Sequence, residues 1–531
     1  MPTLEWIGKD KVVNHHQEVP YRVLERQYSY DEAGQHAEDN GSENMIIHGD
    51  NLEALKALLP RYEGKVKCIY IDPPYNTGNE GWVYNDNVND PKIKRWLGEV
   101  VGKEGEDLSR HDKWLCMMYP RLKLLQRLLA EDGAIFISID DVEFYNLRLI
   151  CNEIFGDHNF IATIIWRKNY APKGTVKHFS EDHDYILVYG KSAEQWIPHK
   201  MPRTEKQNKA YKNPDNDPRG LWRPNNLAAR NFYSKGTYSI TCPSGRVIKG
   251  PPAGSYWRVS EEKFWEMDRD GRIWWGKDGN NVPAPKIFLS EVADGIVPQT
   301  FWSYEEVGHT QDAKKEIKTI FTGETPFDTP KPVRLIERIL QIASDPDSII
   351  LDSFAGSGTT AHAVLNMNKA DGGNRKFILV EMMDYADSIT AERVKRVIDG
   401  YGEDKKAVEG TGGNFSYYEL GPVLLLPNGN LNEEVGPQKI REYVYYMETK
   451  EPLPAEQPTD EPYFMGLCRN TAYYFYYERE SVTTLDHAFL ATVQTKAEGY
   501  TIYADLCAIP QETLRKHNIT FKKIPRDIAR L

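Results

Sequence analysis

The chain has 531 residues, of which 40% are hydrophobic and 27% charged, and its formal net charge at pH 7 is −12. This length predicts about three domains with a large core, and the acidic balance excludes a protein covered in nucleic-acid-binding charge. The sequence has no apolar run of membrane-spanning length and no recognisable leader, so we expect a cytoplasmic protein without membrane contact. The six cysteines form no CxxC pair, which predicts reduced thiols and no metal site.

The N-terminal third of the chain begins with a polar extension and continues with an α/β pattern. Residues 1–44 are polar and aperiodic, and we expect them to lie on the surface. From residue 45 onward, strand-like and helix-like segments alternate, which predicts a parallel, doubly wound sheet. The strand-like segments are 45–50, 66–72 and 134–140, and the helix-like segments are 51–64, 115–133 and 142–156. Two apolar segments, 160–168 and 184–191, have no helix between them and should pair as antiparallel strands.

Residues 192–325 interrupt this pattern. Pro, Gly, Asn, Trp and Arg dominate there, which predicts an inserted domain of short strands and loops. Between Lys200 and Lys249 there are eleven Lys or Arg and three Asp or Glu. Such a run is often only a solvated face, but the aromatic residues within it favour a surface that contacts phosphate. The candidate nucleic-acid contacts, most of them to phosphate, are Arg203, Lys206, Lys212, Arg219 and Arg223.

The α/β pattern resumes over 326–400 and is followed by a less regular tail. A Pro- and Glu-rich linker occupies 448–462, and strands are predicted at 472–478 and 500–506, before a basic helix or loop. We interpret residues 415–531 as a domain for dimerisation or for docking a partner, although its aromatic strands also fit an ordinary core.

The sequence IDPPYNTG at 71–78 follows a predicted buried strand directly. Asp72 would therefore lie at the carboxyl end of a parallel strand, where open α/β sheets bind ligands. The prolines Pro73 and Pro74 stiffen the turn, and Tyr75 offers a flat face on which a flipped base could stack. The Asp72 carboxylate and the Pro73 carbonyl could accept both hydrogens of an aromatic amine and free its lone pair for attack. A surface Pro-Pro turn is the plainer alternative.

The sequence ILDSFAGSGTT at 350–360 predicts a strand, a Gly-rich turn and a helix. Gly356 and Gly358 permit close backbone approach, and the helix N-terminus favours an anionic group such as the carboxylate of S-adenosylmethionine. The spacing does not match an ATP-binding P-loop. Glu381 ends the next strand and could accept ribose hydroxyls. Asp50 also ends a strand, and it could accept the cofactor's adenine amine, cap the following helix, or do both.

Together these segments resemble the permuted, β-class N6-adenine DNA methyltransferases. The likeness runs from Met45 to about Gly400, and its characteristic feature is that DPPY precedes FAGSG, with an insertion between them. The segments in family order are GDNLEALKAL, IDPPYNTG, KWLCMMYPRLKLL, DGAIFISIDD, NFIATIIWRK, HDYILVYGK, FDTPKPVRLI, FAGSGTT and FILVE.

The resemblance implies a Rossmann-like class I methyltransferase with a mixed seven-stranded sheet and a small C-terminal α+β domain. Residues 45–191 would be the catalytic half, 192–325 the target-recognition insertion, and 326–400 the half that binds S-adenosylmethionine. The implied catalytic residues are Asp72, Pro73, Pro74 and Tyr75. The implied cofactor contacts are Asp50, Asp352, Phe354, Ala355, Gly356, Gly358, Thr359 and Glu381, with Lys331 and Thr329 from the TPKP segment.

Within this family the chain looks most like the modification subunits of type III restriction systems. That likeness implies duplex DNA as substrate, a homodimer, and a nuclease-helicase as a possible partner. N4-cytosine methylation is an alternative, although Ser more often precedes PPY in those enzymes. A second alternative is a specificity module that directs a partner nuclease, and RNA is a less favoured substrate because the large insertion suggests duplex reading.

Overall fold

The computed structural model describes residues 3–77, 95, 98–99, 110–172, 176–292, 295–456, 458 and 460–526. The chain divides into two compact units, one of which comprises Met1–Pro198 and Gln299–Leu531 and the other His199–Pro298. In the described part of the chain, no helix combines the length and apolarity that crossing a bilayer requires.

The larger unit is built on one eleven-stranded sheet, counted over the described residues. We number these strands β1 to β11 along the chain. They are β1 Arg22–Asp31, β2 Gly34–His36, β3 Met45–His48, β4 Val66–Ile71, β5 Leu129–Ile139, β6 Phe160–Arg167, β7 His183–Gly190, β8 Phe301–Trp302, β9 Ile349–Asp352, β10 Lys376–Glu381 and β11 Phe415–Val423.

The strand order is β8-β6-β7-β5-β4-β9-β10-β3-β11-β1-β2. The run from β5 to β11 is parallel, whereas β7 is antiparallel to both β5 and β6. The seven expected strands are therefore adjacent, as predicted, and the antiparallel pairing of β6 and β7 is confirmed. Four further strands lengthen the sheet at its two ends, which makes this an α/β fold with a mixed sheet.

The expectation that residues 1–44 only cover the surface is wrong. Strand β1 pairs with β11 inside the sheet, and Tyr28, Ser29 and Tyr30 are buried there. Polar and aromatic residues alternate weakly in this segment, and its partner strand lies almost 400 positions further along the chain, so no local pattern revealed the pairing. Because β11 begins at Phe415, the predicted boundary of the C-terminal domain at 415 is also wrong.

Helices cover the two faces of the sheet. The principal ones are α1 Asn51–Tyr62, α2 Arg110–Leu128, α3 Phe144–Phe155, α4 Val333–Ala343, α5 Thr359–Asp371 and α6 Glu392–Asp399. Helix α2 ends at Leu128, five residues before the predicted end at Gly133, and β5 starts at once. Gly133 lies within that strand, where an added Cβ would approach the carbonyl oxygens of Val66 and Lys67 to 2.9 Å. The glycine therefore serves close packing of β5 on β4 and does not cap a helix.

Further elements complete the described part of the larger unit. Its other helical segments are Lys9–Val12, His15–Glu18, Asp157–Asn159, Tyr304–Val307, Thr310–Ile320, Ala386–Ala391, Asp404–Lys406, Pro437–Thr449, His487–Leu490 and Gln511–Lys516. Its other strands are Gly400–Tyr401, Val408–Glu409, Phe464–Cys468, Thr471–Phe475, Thr484–Leu485, Gly499–Ala504, Leu506–Cys507 and Ile519–Lys523. The final segment, which we expected to be a basic helix or loop, contains both a helix and a strand.

The smaller unit has short strands and loops around an aromatic core. Its strands are Trp222–Pro224, Ala228–Ala229, Ile240–Thr241, Val247–Ile248, Tyr256–Trp257, Ile273–Trp274 and Ala284–Phe288. Its helical segments are Glu205–Asn208, Glu261–Arg269 and Leu289–Glu291. Trp257 and Phe264 are buried at its centre. The unit spans 199–298 rather than the expected 192–325, because residues 299–302 join the main sheet through β8.

Candidate active site

Four adjacent parallel strands end in polar residues at one edge of the sheet. Asp72 follows β4, Asp352 ends β9, Glu381 ends β10, and Asp50 comes shortly after β3. Because parallel neighbours point the same way, the structure brings these side chains to the same edge although they are up to 331 positions apart in the printed sequence. This is the edge at which open α/β sheets bind ligands.

Asp72 is the best-defined acceptor at this edge. Its side chain is buried, and the oxygen Oδ2 forms an ion pair with the Lys331 ammonium. Its other oxygen, Oδ1, is buried and has no hydrogen-bond partner among the residues that the structure describes. A buried, unsatisfied carboxylate oxygen is costly, so such an atom at a strand end indicates a place where a ligand donates a hydrogen bond.

The rest of the DPPY turn is held rigidly. The Trp114 indole donates to the Pro74 carbonyl at 2.7 Å, and Asn76 adopts a left-handed backbone conformation with φ of 61°. The Asn76 amide donates to the buried Glu143 carboxylate and to the Arg110 carbonyl at 3.2 Å. These bonds fix the backbone around the two prolines, so the position of Asp72 depends on more than the DPPY sequence.

Tyr75 lies beside a second buried acid that sequence reasoning missed. Its hydroxyl donates to Asp184 at 3.5 Å, and the Lys331 ammonium lies 5.1 Å from the centre of its ring. Asp184 also accepts from Lys168 at 2.5 Å, and burial raises the pKa of this carboxyl. Since β7 runs antiparallel, its first residues reach the edge where β4 ends. The antiparallel pairing of β7 with β5, which the sequence did not predict, therefore places Asp184 at the site.

The Gly-rich turn between β9 and α5 is tied to the next strand. Gly356 and Gly358 have φ of 51° and 80°, and the Gly356 amide donates to Glu381 Oε2 at 2.8 Å. The Thr360 hydroxyl donates to Asp352 at 2.6 Å. Burial raises the pKa of Asp352 and of Glu381 to about 7. Two carboxylates therefore support the turn from inside and titrate near neutral pH.

Asp50 caps helix α1. Its carboxylate accepts from the Leu52 amide at 2.8 Å and pairs with the buried Arg121 guanidinium at 3.2 Å. The capping prediction is therefore confirmed. The contact of Asp50 with a cofactor stays a prediction.

One small cavity joins the two turns that the sequence singled out. Asp72 from the first turn and Phe354, Ala355 and Gly356 from the second turn line this cavity. Asp72 and Phe354 are 282 positions apart in the sequence. The complete lining is Tyr70, Asp72, Phe327, Thr329, Pro330, Lys331, Asp352, Phe354, Ala355, Gly356, Ser357, Thr359 and Thr360. The TPKP segment thus lies between the two turns, and its lysine bonds Asp72.

The candidate DNA contacts in the smaller unit differ in whether other side chains of the unit already bind them. Arg219 is held by Asp217 at 2.9 Å and Asp270 at 3.2 Å, so it serves the internal structure of the unit. Arg203 and Arg223 both donate to the Tyr211 hydroxyl, at 3.0 and 3.1 Å. Lys212 is exposed, and the side chain of Lys206 lies outside what the structure describes.

The family model described as DNA methylase matches residues 66–392 of this chain. Among curated relatives, the type III restriction-modification enzyme StyLTI Mod subunit of Salmonella typhimurium is 35% identical over 74% of this chain and 62% of its own length. The EcoPI Mod subunit of Escherichia phage P1 is 33% identical over 71% of this chain and 63% of its own length. The chain thus spans less than two thirds of the length of these two relatives.

A relative of different size and one solved structure also match. The type II methyltransferase M.KpnI of Klebsiella pneumoniae is 32% identical over 65% of this chain and 81% of its own length. A putative DNA modification methylase from Thermus thermophilus, complexed with S-adenosyl-L-methionine, matches 71% of this chain and 99% of that chain. The identity to it is 16% and the TM-score is 0.32. On the match of the family model over more than half of its length, the chain belongs to the DNA methylase family.

Proposed function

We propose that this chain transfers a methyl group from S-adenosylmethionine to the N6 amine of adenine at a specific sequence in duplex DNA. The observation that carries the proposal is the buried Asp72 Oδ1, which lacks a partner among the described residues, in a side chain that lines the cavity shared with the Gly-rich turn. Membership of the DNA methylase family supports it.

The acceptors at the DPPY turn suit an aromatic amine. Delocalisation of its lone pair into the ring makes adenine N6 a poor nucleophile. Asp72 Oδ1 can accept one amine hydrogen and the Pro73 carbonyl the other, which favours a tetrahedral nitrogen with its lone pair free. The proton that the amine loses after attack also needs an acceptor at this point, and Asp72 Oδ1 is the candidate. Lys331 holds the other carboxylate oxygen, so the free oxygen keeps its direction.

The residues at the second turn fit S-adenosylmethionine. The turn offers glycines in the left-handed region followed by the N-terminus of α5, which has no acidic residue in its first turn, and such an end favours a carboxylate. Glu381, buried at the end of β10, has acceptor capacity for ribose hydroxyls beyond its bonds to the Gly356 and Met383 amides. When bound, the cofactor supplies a methyl group on a positively charged sulfonium, which is open to direct displacement. The chain's contribution is positioning.

We further propose that the smaller unit, 199–298, recognises the target sequence and that the target adenine is swung out of the duplex. The surplus of Lys and Arg between residues 200 and 249 supports DNA contact, mainly with phosphates. Similarity to Mod subunits of type III restriction-modification enzymes supports a restriction subunit as partner. The homodimer is part of the proposal on the resemblance of the sequence motifs alone. Both partners and a cytoplasmic location remain part of the proposal.

Mass spectrometry of nucleosides tests the reaction. Purified protein is incubated with S-adenosylmethionine and plasmid DNA from a methylation-deficient host, and the DNA is then digested to nucleosides. The expected product is N6-methyladenine, and long-read sequencing of the same DNA should find it in one sequence motif.

Other products would change the proposal in defined ways. N4-methylcytosine in place of N6-methyladenine would establish the alternative base. If no methylated nucleoside forms, although the protein binds the same DNA specifically, the chain acts as a specificity module and the proposed reaction is wrong. Matched reactions with heat-denatured DNA and with RNA report whether a duplex is required.

A further inference from the structure

Arg393, in helix α6, is a fully buried guanidinium whose hydrogen-bond partners among the described residues are all neutral. Its Nη1 donates to the hydroxyls of Ser357 at 2.9 Å and Thr359 at 2.8 Å, and its Nη2 donates to His362 at 3.3 Å. Within the described parts of the chain, the Nε of Arg393 has no hydrogen-bond partner, and Arg393 forms no ion pair within 4.0 Å. Neither the sequence motifs nor the proposed reaction uses this residue.

A buried charge without an ionic partner is expensive. Burial lowers the pKa of Arg393 to about 10, and the charge of Glu316 offsets this only in part. The Glu316 carboxylate itself accepts from the Val333 amide at 3.1 Å. His362 is neutral, because burial and the neighbouring Arg393 hold its pKa well below the usual range, so it supplies a hydrogen-bond acceptor but no negative charge. The fold therefore retains a positive charge that its own side chains leave incompletely balanced.

The contacts of this charge lead directly to the Gly-rich turn. Ser357 lies in the turn and Thr359 is the first residue of α5, so the guanidinium binds the hydroxyls on both sides of Gly358. The Thr359 hydroxyl is also 3.4 Å from the Lys331 carbonyl, to which it donates. Arg393 thus stabilises the turn by direct hydrogen bonds. Through Thr359 it is also linked to the backbone of Lys331, whose side chain pairs with Asp72.

We propose that Arg393 is a positioning residue that places a buried positive charge behind the Gly-rich turn for recognition of the carboxylate of S-adenosylmethionine. This inference rests on the proposed function. An anion at the N-terminus of α5 would face the helix dipole and, behind the turn, the guanidinium. It would add to the negative charge that Glu316 supplies only in part, which gives a reason for burying an arginine at this place.

The test compares two ligands that differ only in the carboxylate. Binding of S-adenosylhomocysteine and of its decarboxylated analogue is measured by calorimetry for the wild-type chain, Arg393→Met and Arg393→Lys. For Arg393→Met, the Kd of S-adenosylhomocysteine should rise by about tenfold or more, the effect of one partly buried charge at a helix N-terminus. The Kd of the decarboxylated analogue should stay unchanged. Arg393→Lys keeps the charge and should keep most of the preference for the carboxylate.

Arg375→Met is the matched control. Arg375 is also buried, but it pairs with Asp371 at 2.8 Å and precedes β10, at the opposite end of that strand from Glu381. Its loss should lower the melting temperature without changing the ratio of the two Kd values. If Arg393→Met does not fold, Arg393→Gln replaces it, and the same ratio decides.

The outcomes separate the inference from the proposed function. An equal loss of affinity for both ligands in the Arg393 variant would mean a merely structural role and overturn the inference. The same holds if the wild-type chain binds both ligands equally well. A wild-type chain that binds neither ligand would instead remove the proposed function itself, and the inference with it.

Discussion

Glu381 makes the stability of this protein depend on pH in a direction that can be worked out from the site. The carboxyl group is buried at the end of β10, and burial raises its pKa from 4.5 to about 7. Between these two values the folded chain binds more protons at this group than the unfolded chain does. The free energy of unfolding that Glu381 contributes is therefore highest below pH 4.5 and is lost as the pH rises through 7.

The size of the effect follows from the change in pKa. At about 1.4 kcal/mol for each pH unit, the full contribution is on the order of 3 kcal/mol, most of which falls between about pH 5 and pH 8.5. Glu381→Gln abolishes this titration. It also loses an acceptor for the Gly356 or Met383 amide, but that cost does not depend on pH. The informative quantity is therefore how the difference in free energy of unfolding between wild type and Glu381→Gln changes with pH.

Urea unfolding at about pH 5 and pH 8.5, without cofactor, measures that quantity. Relative to Glu381→Gln, the wild-type chain should lose roughly 2 to 3 kcal/mol of stability between the two pH values. Asp352, whose pKa is also raised to about 7, is present in both proteins, so the effect of its own burial cancels, whereas its repulsion of Glu381 is part of the difference. Glu43→Gln is the control, since that side chain is 71% exposed, and its stability should run parallel to the wild type. A difference between wild type and Glu381→Gln that is constant with pH would refute the reasoning.

Three further predictions concern the turn and the smaller unit. Gly358→Ala should weaken binding of S-adenosylhomocysteine and destabilise the fold by more than about 1 kcal/mol, because the added Cβ would lie 2.9 Å from the Thr390 carbonyl oxygen. Gly372→Ala, with a similar φ of 71° but nothing within 4 Å, should cost stability alone, and equal binding losses in calorimetry would contradict this. Arg219→Met should lower the melting temperature, because the residue bonds Asp217 and Asp270. Lys212→Met should leave the melting temperature unchanged and reduce the salt dependence of DNA binding by about one phosphate contact. If the slope of DNA affinity against salt concentration stayed at the wild-type value, Lys212 would not belong to the DNA-binding surface.

Local patterns were sufficient for the parts of the fold that alternate along the chain. Short apolar segments that alternate with segments of helical periodicity predicted the seven central strands. The positions of Asp72, Asp352 and Glu381 at strand ends followed from these predictions. The pairing of β1 with β11 could not be predicted this way, because most of the chain separates the two strands and they meet only in the folded sheet. Register and partner choice at such a distance depend on tertiary packing rather than on local propensity.

The site was predictable in its motifs and not in its supports. The DPPY and FAGSG motifs identify their site residues directly from the sequence. Trp114, Asp184 and Arg393 instead act through contacts with residues far away in sequence. A lone Trp or Arg in a helical segment has many ordinary uses, so its type and spacing carry no signal. The ion pair of Lys331 with Asp72 shows a related limit: the sequence assigned the lysine to the cofactor, but its ammonium bonds the proposed catalytic carboxylate.

The most direct test of the proposed chemistry is methyl transfer by Asp72→Asn. Asparagine has nearly the same shape but no carboxylate, so the variant should bind S-adenosylhomocysteine as the wild type does and transfer no tritiated methyl group to DNA. Asp132→Asn, whose partly exposed side chain pairs with Lys67, should transfer at the wild-type rate. Undiminished tritium incorporation by Asp72→Asn would contradict the assignment of Asp72 as the acceptor of the adenine amine.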